Sequence, residues 1–199
     1  MQHPIILRYP SYTDVENSQG IVGIFKMKSK LNELPKQVSA VLVCDGISDP
    51  GNLGTLIRTA WGLEFDAMVT IASTDPFSPK CIRSSMGSSL LMPIIELNSW
   101  KDLENEVSRR KMQVYLSVLD EQAVPYYSVD FTQPCFIVVG SESTGISKEV
   151  LQFTQHQHAN CEKIFIPMGN KLEMSLNAAV AGGIIMGECR RQRAGHPAE

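Results

Sequence analysis

The chain has 199 residues, 43% of them hydrophobic, and a formal net charge of −3 at pH 7. That length holds one domain, or one domain with an arm, and the apolar share is enough for a sizeable core. The charge excludes a bulk polycation, so any nucleic acid contact must come from a local basic patch.

The five cysteines are odd in number, far apart and never in a Cys-x-x-Cys pair, which argues against a disulfide framework and a zinc site and suits an intracellular, reducing compartment. His156 and His158 have no further ligand types nearby and read as solvated loop residues, so no metal is expected. The longest uncharged stretch, residues 174–187, is too short to span a bilayer. The N-terminus has neither a signal-peptide pattern nor an Arg-rich transit pattern.

Residues 1–36 are mixed in character. Residues 20–26 fit an extended piece, and the Ser, Asn, Lys and Pro around them read as linker. The expected division is an arm over 1–36 and a domain over 37–199. Residues 40–44 form a fully apolar strand, followed by a turn-rich loop and a helical stretch over 53–63. Residues 68–72 form a second strand, and a Pro-rich loop over 75–79 leads to a short helix around Ile82. A third strand at 93–97 precedes a charged amphipathic helix over 100–111. Strands at 114–118 and 135–139, a helix over 148–153 and a sixth strand at 164–166 complete the series.

The last helix is expected to open at Ser175 as N-cap and to run nearly without polar side chains to Glu188. A helix apolar on all sides is buried on all sides, and Ala178, Ala179, Ala181, Gly182 and Gly183 admit close neighbours. Apolar strands alternating with helices predict an α/β fold, a six-stranded, mainly parallel sheet covered on both faces. Ligands bind such sheets beyond the carboxyl ends of the strands. Three loops fall there, after Cys44, Val139 and Ile166.

The first loop is Asp49-Pro50-Gly51-Asn52-Leu53-Gly54, leading to Arg58. Asn52 and Arg58 reach one end of the helix if its first turn is loose. Arg58 has apolar neighbours, a setting in which Arg pairs with a carboxylate or phosphate; the alternative is a plain surface cation. Neither a phosphate-loop signature nor a dinucleotide fingerprint is present. The second loop is Gly140-Ser141-Glu142-Ser143-Thr144-Gly145, where glycines let a ligand approach the backbone or simply make a turn. The third places Ser175 and Asn177 at a helix start, where capping is the ordinary explanation.

Together, in this order, these loops resemble those of the SpoU/TrmH branch of the SPOUT methyltransferases. The match covers residues 38–193. It rests on Asp49-Pro50-Gly51-Asn52-Leu53-Gly54 through Arg58, on Val139-Gly140-Ser141-Glu142 with Gly145, and on Ile166-Pro167-Met168 with Ser175-Leu176-Asn177. Ser78-Pro79-Lys80 with Arg83, Gly87 and Pro93 is similar to the family's substrate-side segment. Ser143 stands where many members have Gly, and Met174 where an acidic residue is frequent. The overall style is similar to mitochondrial large-subunit rRNA methyltransferases, which leaves the compartment between cytoplasm and mitochondrial matrix. Residues 20–25 resemble the segment just after an N-terminal RNA-binding domain in longer members, so residues 1–36 are expected to be either an arm or the remnant of a linker from such a domain, missing here.

The resemblance implies a SPOUT fold with a C-terminal deep trefoil knot, homodimers, and S-adenosylmethionine as methyl donor for a ribose 2′-hydroxyl in structured RNA. Ribosomal RNA is favoured, with tRNA as the other candidate, and no membrane is involved. By resemblance, Asn52, Arg58, Glu142, Ser175 and Asn177 occupy active-site positions. Gly140, Ile166, Met168 and Leu176 fall to the methyl donor. RNA contact would fall to Lys80, Arg83, Arg190, Arg191 and Arg193, the alternative for the three C-terminal arginines being a solvated helix end where cations also favour the dipole. The alternative is a catalytically silent RNA-binding or assembly protein on the same fold.

Overall fold

A computed structural model describes residues 5–7, 22–24, 31, 33–155, 160–169 and 175–194. Two short strands, β1 (Ile5–Leu7) and β2 (Val22–Ile24), pair antiparallel, and β2 falls inside the piece expected to be extended.

The core is built on β3 (Ala40–Asp45) and β8 (Cys135–Gly140), which pair in parallel from Ala40↔Cys135 to Asp45↔Gly140. Outward from β3 lie β4 (Ala67–Ile71) and β5 (Ile94–Leu97). Outward from β8 lie β6 (Gln113–Ser117), β9 (Cys161–Phe165) and β7 (Val124–Pro125). The seven-stranded sheet has the order β5-β4-β3-β8-β6-β9-β7, with every pairing parallel.

Alternate residues of each strand serve the two faces. Ala40, Leu42 and Cys44 pack against α1 (Pro50–Gly62), α2 (Pro79–Ser84) and α5 (Ala178–Arg193). Val41 and Val43 pack against α3 (Trp100–Arg110) and α4 (Lys148–Gln155) on the other face. Both faces are covered, so the central strands carry no polar positions before Asp45, and their apolar runs are what made them legible.

The sheet has seven strands rather than six. β7 is two residues long and contains Pro125, which lacks an N–H and is tolerated at an edge. The strand expected at 164–166 is Cys161–Phe165. Glu162 and Lys163 hide its start, but beside the short β7 only Ile164 is buried, so polar residues fit.

Residues just before β3 are sewn on: Leu34 is buried, and the Arg110 guanidinium donates to the carbonyls of Leu34, Pro35 and Lys36.

Two expectations about the last helix change. Its N-cap is Asn177, whose Oδ1 accepts from Ala179 N at 3.0 Å and Val180 N at 3.2 Å; Ser175 lies before it. Nor is the helix buried all round. Gly182, Ile185, Met186 and Cys189 face the core, whereas Val180 is 50% exposed. Gly182 sets the spacing, since a Cβ there meets Leu56 Cδ2 at 2.4 Å.

Arg193, expected at RNA, is committed to the fold. Its guanidinium donates to Phe131 O at 2.7 Å, Gln133 O at 2.8 Å, and both Ser39 O and Ser39 Oγ at 2.9 Å. It thus fastens the end of α5 to the amino ends of β3 and β8. Arg193→Ala is expected to lower unfolding free energy by about 3 kcal/mol in urea denaturation, because several charge-assisted bonds go at once. Arg193→Lys recovers only part of it, having no planar fork.

Candidate active site

α1 begins with Asp49 as N-cap and Pro50 in its first turn. Asp49 Oδ1 accepts from Asn52 N at 2.9 Å, and Oδ2 accepts from Lys80 Nζ at 3.2 Å. These donors hold the Asp49 carboxyl below its ordinary value, the Asn52 N–H foremost. The first turn is therefore tight rather than loose, and it fixes where Asn52 points.

From there Asn52 Nδ2 donates to Glu142 Oε1 at 2.7 Å. Asn177 Nδ2 donates to the same oxygen at 2.6 Å and to Asn52 Oδ1 at 3.0 Å. Ala178 N, at the amino end of α5, also donates to Glu142 Oε1, at 3.0 Å. One carboxylate oxygen thus collects three donors at a helix N-terminus. Residues from all three loops are locked together.

Glu142 is carried by a tight turn. Ser141 N donates to Gly145 O at 3.1 Å, and Gly145 N returns a bond to Ser141 O at 2.8 Å. Gly145 supplies the left-handed conformation, φ +67°. Ser143 is accommodated, its hydroxyl 3.0 Å from that of Ser141. Buried Asp45 anchors the far side, accepting from Ser147 N at 2.6 Å.

Beside this cluster is a cavity of about 360 Å³ at the carboxyl ends of β6, β8 and β9. Gly140, Ile166, Met168 and Leu176, the four residues assigned to the methyl donor, all line it, as do Glu142 and Ser175. Its remaining walls are chiefly apolar, including Val118, Leu119, Ile146 and Leu151. Among the described residues, Asp120 and Glu142 are the charged lining residues, with no Lys or Arg. Asp120 is braced by Lys163 Nζ at 2.6 Å. Such a lining is poorly suited to a phosphate and well suited to a neutral ring with a cationic centre.

The wall formed by residues 117–120 was not expected from the sequence. The loop after β6 lies on the same sheet edge as the other three, so the rule that selected them could have found it.

The other assigned residues stand apart. Arg58 is exposed on α1 and, among the described residues, makes no ion pair; it is not bonded to the Asn52–Glu142–Asn177 cluster. Ser175 is exposed at the cavity. Lys80 is tied to Asp49, Arg190 to Glu64 at 2.6 Å, and Arg191 to Glu188 at 2.7 Å. Arg83 is exposed and has no acidic partner among the described residues. Met174, His156 and His158 lie outside the described residues. Among the described residues, no three His, Cys, Asp or Glu side chains gather as metal ligands. All five cysteines are free thiols, and burial pushes those of Cys81 and Cys161 up to about 11.

The chain and its fold have known counterparts. The SpoU rRNA Methylase family profile matches residues 39–187. The chain is 35% identical to an uncharacterized tRNA/rRNA methyltransferase of Synechocystis sp., covering 89% of this chain and 62% of that one. It is 32% identical to the 23S rRNA (guanosine(2553)-2′-O)-methyltransferase RlmP of Bacillus subtilis, covering 89% and 67% respectively. Its structure is similar to that of an AdoMet-bound rRNA methyltransferase from Sinorhizobium meliloti. There the TM-score is 0.76 at 30% identity, over 89% of this chain and 66% of the other. The chain thus spans about two thirds of the length of these proteins.

Proposed function

The chain belongs to the SpoU rRNA methylase family, and from that premise we propose that it transfers a methyl group from S-adenosylmethionine to a ribose 2′-hydroxyl of structured RNA. Ribosomal RNA is the first candidate substrate and tRNA the second. One observation carries the reading: Glu142 is shared between the cavity and the Asn52–Asn177 cluster, so a ligand site and a polar constellation meet at one side chain.

The residues present fit the donor. Gly140 lines the cavity as bare main chain, because the backbone of Gly145 and Ile146 already stands where a Cβ would go. Ile166, Met168 and Leu176 offer apolar walls, and among the described residues the lining has no Lys or Arg to oppose a sulfonium. When bound, S-adenosylmethionine supplies an electrophilic methyl group.

The protein's own part is alignment and charge control. Asn52 and Asn177 hold the Glu142 carboxylate through Oε1, leaving Oε2 to accept a hydrogen bond from the ribose or from Arg58. Ser175 stands at the same mouth to orient the ribose. Arg58, exposed and without an acidic partner among the described residues, binds the adjoining phosphate and stabilises negative charge developing on the attacking oxygen. Guanidinium holds its proton too tightly to act as a base at neutral pH, so the 2′-hydroxyl proton leaves to Glu142 Oε2 or to water. Arg83 and Lys80 extend the cationic surface for RNA, and Arg190 and Arg191 contribute by exchanging their carboxylate partners for phosphates.

Three broader features belong to the same reading. The C-terminal segment forms a trefoil knot; in support, β9 lies beyond β6 while α5, the next element in the chain, packs back on α1 and β8. The protein acts as a homodimer, which supplies cover for the outer apolar side of α5 around Val180. Residues 1–36 are an arm to the catalytic domain, and the setting is a reducing compartment.

The test is calorimetric titration with S-adenosylmethionine, paired with transfer of labelled methyl groups to ribosomal RNA and nuclease digestion to identify 2′-O-methylnucleosides. Saturable donor binding and a methylated ribose are expected. Leu176→Trp, which fills the cavity, is expected to abolish both while leaving the fold intact. Unchanged donor binding in that variant moves the site elsewhere.

A further inference from the structure

The turn between α2 and β5 carries an arrangement that methyl transfer itself leaves unused. Just past α2, Met86 has φ +51° and Gly87 φ +83°. A left-handed residue after a helix is commonly glycine, because a Cβ is strained there. Met86 is also 73% exposed, with Leu91 at 61% and Leu90 at 47% close behind it in the chain. A large apolar side chain that is both strained and wet contributes nothing evident to the fold, and such features gather at functional surfaces.

The turn is firmly supported. Ser85 and Ser89, both buried, are joined Oγ to Oγ at 2.9 Å. Met86 N donates to Arg83 O and Gly87 N to Ile82 O, each at 3.0 Å. Ser84 Oγ donates to Pro50 O at 3.0 Å, which ties α2 to the start of α1. Met86 is presented on a hydrogen-bonded platform that is fastened to the helix bearing Asn52 and Arg58.

Charge identifies the occupant. Residues 77–95 hold two cations and no carboxylate, in a chain of net charge −3; Lys80 is paired with Asp49, and Arg83 is exposed with no acidic partner among the described residues. The one charged residue of α1 is Arg58. Exposed apolar side chains framed by cations suit a polyanion that also offers flat, unstacked faces, which describes the single-stranded and bulged parts of RNA. We propose that Met86 is a wedge that enters the base stack of the substrate RNA, with Leu90 and Leu91 against the displaced base and Arg83 on the flanking phosphate. The inference rests on the RNA methyltransferase reading and adds how a nucleotide is splayed out to reach the site.

Met86→Gly is the informative variant, because it removes the wedge and at φ +51° relieves strain instead of adding it. Wild type, Met86→Gly and Met86→Leu are compared in thermal unfolding, S-adenosylmethionine titration, sedimentation velocity, and filter binding and methylation of in vitro transcribed large-subunit ribosomal RNA. For Met86→Gly the expected result is an equal or higher Tm, unchanged donor affinity, and RNA affinity lower by about tenfold. Met86→Leu is expected to keep most of that affinity. Equal RNA affinity in wild type and Met86→Gly overturns the wedge while leaving the methyltransferase reading intact. Loss of a dimer in Met86→Gly also overturns it, by assigning the patch to a second copy of the chain. A wild type that binds the donor but methylates no RNA overturns the underlying reading, and the wedge with it.

Discussion

With Arg58 replaced by alanine, methyl transfer to RNA is expected to fall by roughly 30- to 1000-fold, corresponding to about 2–4 kcal/mol of lost transition-state stabilisation. The structure makes this a clean test. Arg58 lies on the exposed side of α1 and, among the described residues, forms no ion pair, so its removal takes no support from the fold. It does not line the cavity, so donor affinity should also hold. The loss belongs in turnover, with an additional rise in KM for RNA if the phosphate contact already forms in the ground state. Arg58→Lys keeps the charge but not the two-pronged geometry, and an intermediate rate is expected. Measured by single-turnover methylation beside donor titration, wild-type turnover in Arg58→Ala removes this residue from the chemistry.

The second large effect is expected at Gly140, where alanine should abolish donor binding and cost about 1–3 kcal/mol of stability. A Cβ at this position lies 2.3 Å from Gly145 C, 2.4 Å from Gly145 O and 2.5 Å from Ile146 N. All three are backbone atoms, so no side-chain rotation relieves the clash. The Ser141–Gly145 bridge must open, and Glu142 and the adjoining cavity wall move with it. Gly62→Ala is the control, since a Cβ there meets nothing within 4 Å. Titration calorimetry and urea denaturation of the two variants separate a steric cradle from a general intolerance of alanine. A Gly140→Ala protein that binds S-adenosylmethionine normally would mean that the turn relaxes without reshaping the cavity.

How much of this could be read from the chain depended on whether the cause was local. β3, β4 and β8 were legible because both faces of their part of the sheet are buried, leaving apolar runs that only Thr70 interrupts before Asp45 and Gly140. β9 was half hidden, since Glu162 and Lys163 are tolerated near an edge, and β7 is too short to leave a pattern. Ser175 and Asn177 are both good capping residues two positions apart, and only the backbone turn selects Asn177. The cluster of Asn52, Glu142 and Asn177 came from resemblance to a family; no local spacing indicates that these side chains meet. Arg193 was misread for a related reason. Its acceptors are carbonyls of Ser39, Phe131 and Gln133, and carbonyls carry no residue-type signal.

The bond from Asn177 to Asn52 spans 125 positions of sequence, and that from Asn52 to Glu142 spans 90. β3 and β8 are about as far apart in sequence, but their pairing closes that loop with a whole ladder of bonds, whereas the constellation has only a few side-chain bonds to offset the entropic cost. The constellation is therefore expected to form late in the chain's assembly. A nascent or partly unfolded chain with β3 and β8 already paired still lacks it, and donor binding should appear only as the last helix docks. Amide exchange at Ala178 would then report on the final closing step, and a bound donor would slow that exchange by stabilising the cavity that Ala178 lines.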